Sequence, residues 1–190
     1  MSLFSMKHSE GGYRADFVLY GIAVLILAVF LILTVHYRQW LQILALVGLG
    51  LVSWTLIEYA LHRFVMHGLQ PFSQWHAEHH QRPKALICTP TIMSMMLIAV
   101  LVFLPSLVFF GNLQQAWALT LGVIIGYLYY SVMHHAIHYW RTDNAWLKQR
   151  KRWHVLHHSN IEQPACFGVT SGFWDHVFKS ALRRKNINVE

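Results

Sequence analysis

The chain has 190 residues, 55% of them hydrophobic and only 12% charged, where a soluble domain carries about 25% charged residues, so lipid is the expected solvent. The pI near 9.7 does not require a nucleic-acid partner: no nucleic-acid module is visible, and a membrane protein with basic cytoplasmic loops has the same balance. Two distant cysteines, Cys88 and Cys166, support neither a disulfide framework nor a thiolate metal site and read as incidental thiols.

Residues 1–14 read as a loose N-terminal tail. The first apolar stretch, 15–35, holds one early aspartate and then 19 residues (17–35) without a charge, long enough to cross a bilayer. It exceeds a signal-peptide core and lacks a cleavage site. The stretch 41–59 follows the short connection "HYRQW". The third, 91–110, is entered through "CTPT" and carries Pro105, where a kink is expected. The fourth, 113–130, follows a "GN" turn. The second and fourth helices are expected to run past the membrane edge and carry histidines on their extensions. No solenoid repeat, low-complexity tract or second domain is visible, so residues 15–190 read as a single integral-membrane domain.

Four spans put both termini on the side of the 60–85 segment. That side holds 14 of the 15 Lys and Arg, only Arg38 lying opposite, so it is expected to be cytoplasmic. The cap on that side comprises 60–88 and 131–190. Trp75, Trp140, Trp146, Trp153 and Trp174 fall within it, and "WLKQRKRW" reads as an interfacial helix.

Of the 14 histidines, 12 lie on this cytoplasmic side, leaving His36 opposite and His8 in the tail. Positions i, i+3 and i+4 share a helix face, so His76, His79 and His80 are expected to converge on one point. His154, His157 and His158 are expected to do the same. His134 and His138 are an i, i+4 pair. His62 and His67 are five apart, about 140° around an α-helix, so both ligate only if the helix end bends or they serve different metals. These ten histidines exceed what one ion takes and suggest two.

Imidazole without thiolate suits Zn, Cu, Fe or Ni, and two ions at a membrane face suit dioxygen chemistry better than structural zinc. Glu58, Glu78 and Asp175 are candidates for bridging the ions or for accepting imidazole N–H groups. Each also has an ordinary reading as a solvated or ion-paired carboxylate. Phe64, Tyr127, Tyr130, Phe167, Phe173 and Trp174 read mainly as core or interfacial belt, with the walls of an apolar tunnel as the other possibility. A metal transporter or sensor, the competing non-enzyme reading, wants polar ligands near the bilayer midplane, where these spans are almost free of ionisable groups. A haem cytochrome wants axial histidines inside the bundle, and the spans offer none.

At these residues the sequence resembles the fatty acid hydroxylase/sterol desaturase superfamily of membrane diiron oxygenases. "HRFVMH" (62–67), "HAEHH" (76–80), "HHAIH" (134–138) and "HVLHH" (154–158) match its four histidine boxes in order, two after the second span and two after the fourth. "GYLYY" before the third box and "FGVTSGFWDHVF" (167–178) are closest to the fatty acid 2-hydroxylases. The resemblance, over roughly residues 50–180, implies an all-α membrane protein: four transmembrane helices with a cytosolic helical cap holding a dimetal histidine cluster. It implies that His62, His67, His76, His79, His80, His134, His138, His154, His157 and His158 bind two iron ions, replaceable by zinc in a purified protein, with His135 and His176 outside the ligand pattern.

The implied reaction is O2-dependent hydroxylation of an acyl chain drawn from the bilayer, at C2 on the closest resemblance. Carotenoid ring hydroxylation and lipid or sterol desaturation are the alternatives within the superfamily. The chain has no room for the haem domain often fused to eukaryotic 2-hydroxylases. A separate electron donor is therefore expected, a ferredoxin or small haem protein with its reductase, in a bacterial inner membrane. The short gap between His67 and His76 departs from the pattern in the region that covers the site.

Overall fold

The computed structural model describes residues 9–87, 89–159 and 163–182, so Cys88 lies outside the described residues. Its regular elements are all helical. Helix α1 (Glu10–Thr34) begins inside the predicted tail, because Ser9 caps it: Ser9 Oγ accepts from the Gly12 N–H at 3.2 Å and Glu10 sits in the first turn. An N-cap oxygen and an acidic first turn both stabilise a helix start, and hydropathy alone did not register them. Helix α2 (Trp40–Ala60) continues through a π-helical turn at Leu61–Met66, and α3 (Phe72–Gln81) follows.

The third span, Thr91–Phe110, comprises α4 (Thr91–Ile98), a π-helical turn at Ala99–Phe103, and α5 (Leu104–Phe110). Proline lacks an N–H and crowds the carbonyl four residues earlier. The widened turn just before Pro105 absorbs that misfit where a kink was expected. Gly111, at φ 58°, ends α5, and the Asn112 side chain accepts from the Gln115 N–H at 3.0 Å to start α6 (Leu113–Tyr139). A left-handed glycine followed by an asparagine cap makes this a minimal turn. Asn144 Oδ1 accepts from the N–H groups of Trp146 and Leu147 to open α7 (Ala145–Ser159), and α8 (Phe173–Val177) is a short final helix.

Four of these helical stretches are long and apolar enough to span a bilayer, and the chain is an integral membrane protein. Helix α6 is their hub: 56% of its apolar window is buried, against 11–17% for the other three. Leu33, Leu41, Val108 and Phe109 are 78–85% exposed, a surface that only lipid solvates cheaply. Since lipid gives helices no hydrophobic reason to associate, close backbone contact must do it. A Cβ on Gly50 would lie 2.1 Å from the Leu119 carbonyl oxygen, and one on Gly122 would lie 2.1 Å from that of Val47. One turn further on, Trp54 of α2 packs over Gly126 of α6.

These contacts lock a register in which residue n of α2 faces residue n+72 of α6. Extended 12 residues, about 18 Å at 1.5 Å per residue, that register brings His62 level with His134. Tyr20, Trp54 and Tyr127 join α1, α2 and α6 in the core below. Helix α1 is tied to α4 by Thr91 Oγ1 donating to Asp16 (2.8 Å) and Tyr20 OH donating to Ser94 (2.7 Å).

Candidate metal centre

The ten predicted histidines all come to the end of the bundle where α2 and α6 emerge, and they form two groups. In the first, one ring nitrogen each from His62, His67, His76, His80 and His157 lies within 4.8 Å of all the others. The second joins His79, His134, His138 and His154 by the same measure. His158 adjoins it, its Nε2 being 2.9 Å from that of His154, while its ring stacks on His80 at 4.3 Å.

This corrects the expectation that each HxxHH triplet converges on one point. Positions i and i+4 are about 40° apart around a helix, whereas i+3 and i+4 are about 100° apart. On α3 the i, i+4 pair His76 and His80 enters the first group and His79 the second. On α7 the assignment reverses: His154 and His158 face the second group and His157 the first. Each helix therefore supplies a pair to one group and a single imidazole to the other.

The 140° objection to His62 and His67 is removed by the backbone. The π-helical turn at Leu61–Met66 follows an i→i+5 pattern, which stacks residues five apart. The two rings lie 5.4 Å apart in the same group, so neither a bent helix end nor separate ions is needed.

His62 Nδ1 donates to the Phe167 carbonyl at 2.5 Å, and His157 Nδ1 donates to the Ala165 carbonyl at 2.8 Å. A carbonyl can only accept, so both rings carry their proton on Nδ1 and present an Nε2 lone pair to the group. There, His62 Nε2 lies 2.9 Å from His76 Nε2, and His67 Nε2 lies 3.2 Å from His157 Nε2. In the second group His134, His138, His154 and His158 form a chain of Nε2 contacts of 2.9–3.2 Å. Both ring nitrogens of His79 and Nδ1 of His158 are buried without a hydrogen-bond partner among the described residues. Buried imidazoles of this kind normally find a partner. Clustered lone pairs with orphaned nitrogens fit a metal site.

Burial, reinforced by neighbouring imidazoles, holds His76 and His154 well below the ordinary histidine range and pushes His79 and His157 down to about 2. His158 falls to about 3 and His67 to about 4, again chiefly through burial. All are therefore neutral at physiological pH, the form that ligates metals.

The carbonyls that fix His62 and His157 belong to a loop held by two buried carboxylates. Glu58 accepts from the N–H groups of Val169 and Thr170 at 2.7 and 2.9 Å and from the Thr170 hydroxyl at 2.5 Å. Asp175 accepts from the Phe167 and Gly168 N–H groups and from the Ser180 hydroxyl, each at 2.8 Å. Gly168 admits this fold, since a Cβ there would lie 1.9 Å from the Ser171 carbonyl oxygen. Glu58 and Asp175 thus act on imidazoles through the loop, by hydrogen bonds to its backbone and hydroxyls and not by accepting from the imidazoles directly, one of the candidate roles the sequence offered. Glu78 lies 3.9 Å from Arg82 on a partly exposed face.

The loop carbonyls themselves were missed, because a backbone acceptor leaves no mark on residue type. His135 bonds Tyr13 at 3.1 Å and His176 packs on Trp153, both outside the two groups. Of the aromatic candidates, Tyr127 is core, Tyr130 stacks on His134 and Phe167 packs against His62, His67 and His157. Trp174 donates to Thr55 at 2.9 Å, while Phe64 and Phe173 are exposed. Cys166 is buried as a free thiol.

Residues 46–180 match the family model described as fatty acid hydroxylase. The chain is 32% identical over 148 residues to the dihydroceramide fatty acyl 2-hydroxylase FAH2 of Arabidopsis thaliana, covering 72% of this chain and 60% of that protein. It is 31% identical to the ceramide very long chain fatty acid hydroxylase scs7 of Schizosaccharomyces pombe, over 68% of this chain and 40% of the relative. It is 28% identical to human fatty acid 2-hydroxylase, over 72% and 39% respectively. The chain thus spans between about two fifths and three fifths of the length of these relatives. A solved structure described as full-length scs7p, with only the hydroxylase domain visible, superposes with a TM-score of 0.80 at 25% identity, covering 95% of this chain and 69% of that one.

Proposed function

The chain belongs to the fatty acid hydroxylase family, and from that premise we propose that it is a membrane oxygenase that hydroxylates the acyl chain of a fatty acid or lipid at C2. The observation that carries this reading is the pair of facing imidazole groups, His62, His67, His76, His80 and His157 against His79, His134, His138 and His154 with His158 adjoining. These ten histidines would hold two iron ions, for which zinc can substitute in a purified protein. Bound there, the iron pair supplies the redox chemistry of dioxygen activation, which no side chain can perform.

The reaction balances with one acyl C–H bond broken and one oxygen atom inserted. The second oxygen leaves as water, taking two protons and two electrons from a separate carrier, a ferredoxin or small haem protein with its reductase. The protein's own share is positional. The loop carbonyls of Ala165 and Phe167 fix the tautomers of His157 and His62, and burial keeps the rings neutral. The apolar outer faces of the spans let a lipid tail approach from the bilayer. The spans and a cap of 60–88 and 131–190 act as one hydroxylase domain. The excess of basic residues on that side supports a cytoplasmic orientation for the cap and both termini. Ligands gathered at one membrane edge favour this over transport, which needs them near the midplane.

The test is metal analysis and product mass spectrometry on iron-loaded protein with a reduced carrier. Two irons per chain and a 2-hydroxy acyl product are expected. An iron-replete protein that leaves every acyl substrate unchanged would refute the reading.

A further inference from the structure

A cleft of about 510 Å³ opens beside the first histidine group, lined among others by Arg63, Phe64, His67, Phe167 and Lys179. Its described lining contains two cations and no carboxylate. Arg63 is half-buried, and its guanidinium carbon lies 5.8, 5.3 and 5.7 Å from the ring centres of Tyr59, Phe64 and Phe167. Its Nη1 donates to Tyr59 OH at 2.5 Å, and that hydroxyl is 2.9 Å from Ser180 Oγ, itself held by Asp175. A guanidinium has five N–H donors. One is used to lock the side chain, and no acidic residue pairs with it among the described residues. A cation clamped by aromatic rings, with donors to spare and no counter-ion, is prepared for a bidentate oxygen ligand.

The position of this ligand bears on the reaction. Arg63 precedes His67 by four residues, and both line the same cleft. Attack at C2 requires a substrate held by the carbon next to the target, because an apolar tail can slip by one methylene with almost unchanged contacts. We propose that this cleft holds the carboxylate of a free long-chain fatty acid, with Arg63 gripping the C1 oxygens as the positioning residue that fixes oxidation at C2 and Lys179 adding selection for the negative charge. This rests on the hydroxylase reading above and narrows it. An ester or amide brings one neutral carbonyl, which leaves a two-cation cleft uncompensated.

The experiment compares palmitic acid with its methyl ester and its sphinganine amide, using iron-loaded full-length protein in nanodiscs with a reduced ferredoxin. The unaltered protein is expected to show a KM for the acid about tenfold below those of the neutral forms. Arg63→Gln should raise the acid's KM by about tenfold, leave the ester's KM unchanged and spread the product to C3 and beyond, whereas Arg63→Lys retains C2. Lys179→Gln should raise the acid's KM several-fold with C2 selectivity intact.

Equal KM values for acid and neutral forms, or an Arg63→Gln protein with normal KM and only 2-hydroxy product, would overturn the proposal. Iron content reports whether each variant is intact. Should Arg63→Gln lose iron, the acid-to-ester ratio of the unaltered protein and of Lys179→Gln decides. Absence of product from all three substrates with two irons bound would refute the hydroxylase reading itself.

Discussion

The two histidine groups are built from the same residue type on partly shared helices, yet they are held differently. In the first, His62 and His157 are anchored by backbone carbonyls of the 165–170 loop, and that loop is anchored by Glu58 and Asp175. The second group is held by α6 and α7, and His79 reaches it with neither nitrogen hydrogen-bonded among the described residues. The first group is organised by the protein's own hydrogen bonds, whereas in the second, on the proposed reading, a bound metal would complete the organisation.

The sharpest way to break both groups at once is to disturb what they share, the register of α2 on α6. Gly122→Leu has no room beside the Val47 carbonyl, so the variant should lose both metals, seen as no iron above background in the purified protein. Separating the groups comes next. His157→Ala removes a fully buried imidazole and its carbonyl anchor. Metal binding in the first group and turnover should be abolished, while membrane insertion and iron in the second group persist, so metal analysis should give one ion per chain and activity none. Normal product from that variant would contradict the assignment.

A smaller effect is expected from Glu58→Gln, which turns an acceptor of three hydrogen bonds into a group with its own donors. By analogy with outer-shell changes elsewhere, affinity in the first group should fall by about 10–100-fold with the second unchanged, as competition with a graded chelator would reveal. The smallest effect concerns pH. Burial lowers the folded-state values of His67 and His158 to about 4 and about 3, below the unfolded value of about 6.5. Between those limits the unfolded chain binds more protons, so the metal-free protein loses stability as pH falls from 6.5 towards 4 and changes little above 7. Melting temperatures across that range, with and without metal, check the sign.

Much of this was legible in the sequence, for identifiable reasons. Hydropathy located the spans because lipid demands long uncharged helices, and the two His-x-x-His-His clusters, with the His134/His138 and His62/His67 pairs, marked ten residues that do come together. What escaped was geometry that residue type does not encode. The π-helical turn that aligns His62 with His67 leaves the hydropathy pattern untouched. Which member of a triplet turns to which group depends on how α3 and α7 face each other across the site. The helix start at Ser9 was a capping signal inside a stretch read as tail. Glu58 and Asp175 were singled out as carboxylates near the metal, but their partners are peptide N–H groups of a loop whose path no spacing rule gives.

The most direct measurement is anomalous diffraction at the iron edge on crystals of the iron-loaded chain. Two peaks per chain are predicted, one within about 2.0–2.2 Å of nitrogens from His62, His67, His76, His80 and His157, the other within the same reach of His79, His134, His138, His154 and His158. A single peak, or iron bound away from these rings, would contradict the two-group centre.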